Sequence, residues 1–419
     1  MNEVLDESAT KDRHLNSYRV ARSEQLKALV RSIVAQLEAY EVSLKLRARA
    51  RKPNDQKVFE RQVECLVCEA LLCHLVQPKG WVTVSRSKRI LGHASRYQSP
   101  VMGRTLPDVM DLLTSPEMGL LDVTMGIVNP FNGCNVQTTL RASGRLLGLA
   151  AELNLTHADF GRDDAEEVII LKAEKQRGKS ARFPYADDEQ TAALRAEVKT
   201  INAWLAQAEI ELADDFPGKS TDDRKMTRSF NNGTFAHGGR LSGGFWQGMT
   251  KAQRKSILID GCETVTLDYK QMGPSIHYGL AGIPFSGDAY AVPGYEFHRA
   301  GIKKVFGAMT HARRRFNRLE DLDPLALPAG VKLSKACQDI ERHHALIADR
   351  FYCRSGMEAM RTESDVIVGV MLELRARGIV GLPIHDAVLV REDQADQVDE
   401  VMRALFTQHT GNTVAVSME

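Results

Sequence analysis

Long hydrophobic runs are absent from this sequence, and no apolar stretch approaches the roughly 20 residues that a membrane-spanning helix needs. The chain begins MNEVLDE, which is acidic and lacks the basic and apolar parts of a secretion signal. The 7 cysteines are scattered, and their odd number favours reduced thiols over a disulfide framework. We therefore expect a cytoplasmic protein that does not associate with membranes.

An excess of either charge is also missing, because 55 basic residues are matched by 54 acidic ones and the formal net charge is +1. A general polycation is excluded, so nucleic-acid binding has to come from local basic patches. With 419 residues, 43% of them hydrophobic and 26% charged, the chain has the composition of a soluble globular protein. Its length predicts two or three domains.

Residues 1–80 contain few helix breakers and predict a mainly helical N-terminal region. The basic run KLRARARKP at 45–53 is either a phosphate contact or a solvated helix end. Three cysteines and a histidine lie within an apolar helical pattern and have no second ligand pair at zinc-finger spacing. We expect buried structural thiols there rather than a zinc site. The group consists of Cys65, Cys68, Cys73 and His74.

Residues 81–161 change character: V-T-V at 82–84 predicts a strand, and the leucine spacing at 106–113 predicts a helix. These features favour a small mixed module, winged-helix-like in its contact with duplex, and the alternative is a helical domain with irregular loops. Residues 162–190 are mostly polar and predict a mobile loop or linker. The apolar periodicity of 190–212 predicts an amphipathic helix.

A single carboxylate, Asp268, stands at the end of the predicted strand V-T-L-D. Such a residue is often only a structural cap, so it needs partners to indicate a site. The first partner is Asp386, which follows His385 near the junction of two short β segments at 380–390, a predicted hairpin. Two carboxylates from separate strands are suited to a two-metal site, and their hard oxygen atoms favour Mg²⁺ or Mn²⁺.

The second partner is a predicted basic helix, because residues 298–318 contain Lys or Arg at seven positions and neither Asp nor Glu. Arg299 and Lys303 are spaced i,i+4, so both side chains lie on one face and can grip a triphosphate. The alternative is a solvated basic helix. The positive charge continues at three further candidate nucleic-acid contacts, Arg313, Arg314 and Arg315. Arg240, in the Gly-rich run 238–244, is a third, weaker candidate partner.

Five segments, taken in chain order, resemble the family A nucleic-acid polymerases and their relatives, the phage-type single-subunit RNA polymerases. They are similar to the family's T-G-R-L-S segment, motif A, motif B, the T-A-A-D-I-I helix and motif C. The likeness covers about 225–419, and it extends more loosely to compact phage and mobile-element proteins without an exonuclease domain. The five segments are G-R-L-S at 239–242, L-D-Y-K-Q at 267–271, R-A-G-I-K at 299–303, T-E-S-D-V-I at 362–367 and I-H-D at 384–386.

The resemblance implies an α+β right-hand polymerase, with an antiparallel palm sheet and helical fingers and thumb, preceded by the helical N-terminal region. The palm would comprise 225–298 and 379–419, and the fingers 299–378. A linker and a thumb-like helix would occupy 162–224.

The resemblance also implies roles for single residues. Asp268 and Asp386 would bind two Mg²⁺ or Mn²⁺ ions, with the backbone carbonyl of Tyr269 as a further ligand. Arg299 and Lys303 would hold the triphosphate, and Lys303 would protonate the departing pyrophosphate. Further expected contacts are Tyr269, Gly273, Lys304 and His311 with the nucleotide, and Arg240 and His385 with the primer end or minor groove.

Two positions depart from the family's DNA polymerases. Gly273 stands where those enzymes carry a Glu that blocks a ribose 2′-OH, whereas the phage-type RNA polymerases have Gly there. His311 stands where family A enzymes place Tyr or Phe near the incoming base. Both departures put strict DNA synthesis in doubt and leave ribonucleotide use and primer synthesis open.

The sequence therefore predicts a template-directed nucleotidyltransferase acting on a DNA template and primer with nucleoside triphosphates. A helicase or a small single-strand-binding protein is an open partner. One competing class is a non-catalytic nucleic-acid-binding replication factor on a polymerase-like fold. A metal-dependent phosphohydrolase built on His385 and Asp386 is the weaker competitor, since it would need further His and Asp ligands on helices.

Overall fold

The computed structural model describes residues 12–47, 49–92, 95–128, 135–176, 180–214, 216 and 219–419. The chain divides into two compact units. The first unit contains 1–167 and 215–222, and the second contains 168–214 and 223–419. Both contain helices and sheets, so the fold class is α+β, and no helix in the described ranges is long and apolar enough to cross a membrane.

The first unit is built on two long helices and a four-stranded sheet in the order β1-β3-β7-β4. Ser23 caps the first helix by accepting a hydrogen bond from the Leu26 backbone N–H, and Pro53 opens the second. The elements are β1 (Arg13–His14), β2 (Arg19–Ala21), α1 (Glu24–Ser43), α2 (Pro53–Val76), β3 (Val82–Val84), α3 (Lys88–Leu91), α4 (Leu106–Thr114), β4 (Leu121–Thr124), β5 (Ile127–Val128), β6 (Asn135–Val136), β7 (Thr138–Ala142), α5 (Gly144–Ala150) and β8 (Phe160–Arg162).

One hydrophobic core in this unit runs from Ala21 to Phe160. It differs from the predicted division into a helical region at 1–80 and a separate module at 81–161. The physical reason is that α2 is buried on nearly all sides along its second half, so it needs apolar partners from both segments. The first segment is also less helical than predicted, because β1 and β2 precede α1.

The three cysteines of α2 are buried within this core. Burial raises the pKa of the Cys73 thiol to about 11 and raises those of Cys65 and Cys68 further. Within the described ranges no group of three or more His, Cys, Asp or Glu side chains could hold a metal ion. Because they are buried in an apolar core, the three cysteines pack as small apolar side chains.

The second unit contains a central four-stranded sheet in the order β15-β16-β14-β17, with helices packed against it. Its pairings are all antiparallel. The elements are β9 (Ile169–Leu171), α6 (Glu189–Gln207), β10 (Ile210–Leu212), β11 (Thr227–Phe230), β12 (Gly238–Ser242), α7 (Lys251–Arg254), β13 (Ile257–Ile259), β14 (Thr264–Tyr269), α8 (Met272–Leu280), α9 (Arg299–His311), α10 (Leu333–His343), α11 (Ser355–Ala376), β15 (Leu382–Ile384), β16 (Ala387–Arg391), α12 (Ala395–Thr410) and β17 (Val416–Met418).

A smaller sheet, β12-β11-β9, packs against α11. Within the predicted loop or linker at 162–190, the apolar run forms β9, which pairs in parallel with β11. The last residues of the predicted helix at 190–212 form β10 instead, which pairs with β13. The apolar run 168–171 is buried, and burying its side chains stabilises the fold more than leaving them in a solvated loop would. The predicted helix is present as α6.

A separate apolar cluster surrounds α9 and α10 and includes Ile302, Phe306 and Ile340. Gly301 lets α9 approach a neighbouring short 3₁₀ helix closely, because a Cβ added at Gly301 would lie 1.7 Å from the Ala326 carbonyl oxygen. The cluster fixes the position of α9, which carries several of the predicted nucleotide contacts.

Candidate active site

Asp268 lies on β14, the strand between β16 and β17. Its neighbours Leu267 and Tyr269 are buried on the opposite face, so the strand alternation directs Asp268, itself half-buried, away from that core. The Tyr269 hydroxyl donates to the Met402 carbonyl at 2.5 Å, and its ring packs on Phe406. The side chain of Tyr269 is thus a core residue, and only its backbone is available to the predicted site.

Asp386 and His385 form the two-residue turn between β15 and β16, as the sequence predicts for a hairpin. His385 has a φ of 57°, a left-handed conformation that favours glycine and is strained for histidine. The hairpin is anchored at Pro383, whose carbonyl accepts hydrogen bonds from Trp246 and Gln247, both at 2.9 Å.

The sheet register brings the two predicted metal ligands together. Asp268 pairs with Ala387, the residue after Asp386, and the Tyr269 N–H donates to the Asp386 carbonyl at 3.4 Å. Directly paired residues in antiparallel strands have Cα atoms about 4.5–5.5 Å apart. Asp386 is therefore next in sequence to the residue that pairs directly with Asp268 on the neighbouring strand.

The two carboxylates lie within electrostatic reach of each other. Burial and the neighbouring charge of Asp386 raise the pKa of Asp268 to about 6, and Glu419 adds to the rise. Lys303 and Lys251 oppose it, so Lys303 of α9 is within electrostatic reach of Asp268. Across the described ranges, neither Asp268 nor Asp386 has an ion-pair partner. The site is a repelling carboxylate pair within electrostatic reach of two lysines, Lys303 and Lys251.

Of the residues predicted to bind the triphosphate, only some lack an ion pair in the described structure. Lys303 and Lys304 are exposed, and neither forms an ion pair with any residue that the structure describes. Arg299 instead makes a bidentate contact with Asp288, with Nε to Oδ2 at 2.6 Å and Nη2 to Oδ1 at 3.1 Å. Its guanidinium is half-exposed and lies 5.0 Å from the ring centre of Tyr290.

The basic run that continues after α9 is compensated in space by distant carboxylates. Arg313 pairs with Glu174, and Arg315 makes a bidentate contact with Glu341 at 2.6 and 2.7 Å. Arg314 is exposed, and no ion pair involves it within the described ranges. Absence of acids in the local sequence therefore did not mean absence of counter-charges in the fold.

His311 closes α9, where its Nδ1–H donates to the Gly307 carbonyl at 2.9 Å. Its ring lies against Gly356 of α11, since a Cβ added there would fall 2.5 Å from the imidazole. Gly273, in the first turn of α8, is different: a Cβ added there would meet no atom within 4 Å. Position 273 thus faces open space, as the sequence-based hypothesis about the sugar requires.

Arg240 of β12 is held by Glu363 of α11 through two hydrogen bonds, of 2.5 and 3.0 Å. Burial raises the pKa of Glu363, Arg240 lowers it, and Asp386 raises it again, so this pair lies within electrostatic reach of Asp386. Glu363 lies in the T-E-S-D-V-I segment, but the sequence did not predict its contact with Arg240. The available signal was a Glu where the family's T-A-A-D segment has Ala.

Two further charges near Asp268 were also missed. Glu419 follows β17, exchanges two backbone hydrogen bonds with Thr266 and forms an ion pair of 2.6 Å with Lys251. No motif marks these residues, because their proximity to Asp268 arises only when β17 pairs with β14.

Comparisons with known proteins add little to this geometry. No protein-family model matches the sequence, and no curated protein matches it significantly. Among solved structures, the chain is similar to the POL domain of Pol1 from M. smegmatis, solved in complex with DNA primer-template and dNTP. The identity is 13%, the TM-score is 0.31, and the alignment covers 94% of this chain and 69% of the other. A likeness this low transfers neither a site nor an activity.

Proposed function

We propose that the protein is a template-directed nucleotidyltransferase of the family A type, which adds nucleotides to a 3′-OH on a DNA template. The observation that carries the proposal is the pair formed by Asp268 and Asp386, which the β14–β16 register juxtaposes and which forms no ion pair with any described residue. Structural carboxylates are normally compensated when they leave water. This pair instead suggests a site for a bound cation.

The donor set fits magnesium or manganese. Carboxylate oxygens are the ligands that these hard cations prefer, and burial together with the charge of Asp386 raises the pKa of Asp268, a cost that a bound divalent ion would offset. We propose that Asp268 and Asp386 hold two such ions, with the Tyr269 carbonyl as a further ligand. When bound, the ions would make the 3′-OH more nucleophilic and neutralise charge on the pyrophosphate.

The protein's own residues then orient the nucleotide. Lys303, near Asp268 and without a partner in the described ranges, is placed to neutralise the triphosphate and to donate a proton to pyrophosphate. Arg299, one turn earlier on the same face of α9, supplies a second point of contact. Catalysis of this kind depends mainly on positioning and charge stabilisation.

Gly273 bears on which nucleotide sugar the enzyme accepts. Because position 273 faces open space, we propose that ribonucleotides are accepted, at least for initiation. The variant Gly273→Glu would place bulk and charge there without a backbone clash. We expect it to lower the kcat/KM for NTPs more than that for dNTPs. Rejection of every ribonucleotide by an active wild-type enzyme contradicts this part of the proposal.

The decisive experiment is incorporation of a labelled nucleotide on a single-stranded DNA template, with and without primer, with Mg²⁺, Mn²⁺ or EDTA. We expect template-dependent, metal-dependent extension that EDTA abolishes. The competing function, a non-catalytic nucleic-acid-binding factor, is favoured by the ion pairs that occupy Arg240 and Arg299. It predicts template binding without incorporation under every metal condition.

A further inference from the structure

The segment between α8 and α9 is held to the strand of Asp268 by one side chain. Gln271 follows that strand and has a left-handed φ of 56°. Its amide Nε2 donates to the Gly287 carbonyl at 3.2 Å, and its Oε1 accepts from the Ala289 N–H at 2.6 Å. Both ends of one amide are therefore used to fix residues 287–289, although they lie in a connecting segment.

His344 holds the same segment from the opposite side. It is buried, and its Nε2 lies 2.8 Å from the Ala289 carbonyl while its Nδ1 lies 2.9 Å from the Tyr278 hydroxyl. A carbonyl only accepts, so Nε2 carries the proton and Nδ1 accepts from Tyr278. Burial lowers the pKa of His344 to about 4, so this neutral tautomer persists at physiological pH.

The fixed segment in turn fixes Arg299. Asp288 takes the Nε–H and one Nη2–H of the guanidinium, and the ring of Tyr290 lies 5.0 Å away. An arginine has five N–H donors, so about three remain, all at the Nη end of the fork. The side chain is still 50% exposed. Asp288 therefore orients Arg299 without using up its capacity to bind an anion.

We propose that Asp288 is a positioning residue that acts through Arg299 and sets its free N–H donors toward the triphosphate. Residues 287–290 would then transmit the position of the Asp268 strand, through Gln271, to the nucleotide contact on α9. This inference rests on the proposed function, because it takes the anion to be a nucleoside triphosphate. Orienting the fork in advance reduces the entropy lost on binding.

The test is a double-mutant cycle on nucleotide binding with Asp288→Asn and Arg299→Ala. We expect Asp288→Asn to raise the Kd for a nucleoside triphosphate with Mg²⁺ about tenfold, as for the loss of one charge-assisted contact. KM should rise in parallel while kcat changes less than about twofold, because the reacting groups are untouched. In the Arg299→Ala background Asp288→Asn should have no further effect. Asp288→Glu should restore part of the affinity.

The chain offers a matched control in Asp399, which makes a bidentate contact with Arg403 at 2.7 and 3.0 Å. The side chains of this pair are 32% and 47% exposed, close to the 35% and 50% of Asp288 and Arg299. Asp399→Asn should leave the Kd unchanged. Thermal unfolding of each variant shows whether the protein is folded.

Three outcomes overturn the inference: tighter nucleotide binding by Asp288→Asn, an equal loss in the Arg299→Ala background, or a loss in Asp399→Asn of the same size. Tighter binding would mean that Asp288 competes with phosphate. Because the cycle measures nucleotide binding, its result does not depend on whether the protein incorporates nucleotides. A wild-type protein that binds nucleotide with the expected coupling but never incorporates it would refute polymerisation and leave the positioning role standing.

Discussion

Two groups of carboxylates in the second unit differ in how they are compensated. On α11, Asp365 pairs with Arg228 and Arg361, and Glu363 pairs with Arg240. On the central sheet, the strand register brings Asp268 and Asp386 together, and neither forms an ion pair with an arginine in the described part of the chain. The first group is neutralised by arginines of the fold, whereas the second forms no ion pair with the described residues. This difference distinguishes carboxylates that stabilise the fold from the pair that we propose binds metal ions.

Disrupting the compensated carboxylates of α11 should lower the stability of the fold. Arg228 is fully buried and contacts Glu197, Asp365 and the Gly239 carbonyl. Burial lowers its pKa to about 10, which leaves it charged at neutral pH. Removing one member of such a network strands the others in a low-dielectric environment. The uncompensated pair has the opposite property, since removing one of its members relieves repulsion.

The largest expected effect is on activity. Asp268→Ala or Asp386→Ala should reduce nucleotide incorporation by at least about a thousandfold, because each removes a ligand that positions charge in the transition state. Template affinity, measured by fluorescence anisotropy, should survive. Thermal stability should be unchanged or higher than in the wild type. Retained nucleotide incorporation in both variants would contradict the assignment of this site.

The next effect is on stability. Arg228→Met should destabilise the fold by roughly 3–5 kcal/mol, because it leaves buried or half-buried acids unpaired. Denaturant unfolding monitored by circular dichroism measures this loss. A loss below about 1 kcal/mol would show that the α11 group is no better compensated than the sheet pair, and the contrast between the two groups would fail.

A smaller effect is expected from pH. In the metal-free protein, burial and Asp386 raise the pKa of Asp268 to about 6, above its usual value near 4. The folded state therefore binds a proton more readily than the unfolded state, and the stability contributed by Asp268 falls as pH rises from about 4 to 6. Wild type should gain stability relative to Asp268→Asn on acidification through this window. A parallel pH dependence of the two proteins would contradict the raised pKa.

The smallest effect concerns the turn that carries Asp386. His385→Gly should change stability by less than about 0.5 kcal/mol, because relief of left-handed strain offsets the entropy that glycine loses on folding. His385→Val should cost about 1–2 kcal/mol, since a β-branched residue is poorly tolerated at this φ. Denaturant midpoints for the two variants provide the measurement. Equal costs would mean that the turn relaxes around either side chain.

Local patterns were sufficient to predict the elements that hold the carboxylate pair. The alternation of V-T-L-D-Y predicted the strand of Asp268, and the short β segments around Asp386 predicted its hairpin. The helix of Arg299 and Lys303 was likewise predicted by spacing and charge. Each of these features depends on neighbours within about ten residues of sequence.

The missed features depend on distant parts of the chain. Asp288, Glu174 and Glu341 neutralise arginines of the basic run, and nothing in the local sequence identifies them as partners. The single core that runs from Ala21 to Phe160 was missed because an apolar helix pattern does not indicate which segments cover it. Burial of the apolar run 168–171 also depends on tertiary pairing, which overrides its polar surroundings.

The place of β14 between β16 and β17 has a consequence for biosynthesis. Asp268 contacts Ser417, 149 positions later in the chain, so the strand gains its second neighbour only after nearly all of this sequence has left the ribosome. Pairings across such separations form slowly because the intervening loop has to close first. Until then the edge of β14 that pairs with β17 lacks its native partner, and an unpaired strand edge can bind other chains. The β14–β16 pairing that juxtaposes Asp268 and Asp386 does not include β17, so it can form before β17 is available.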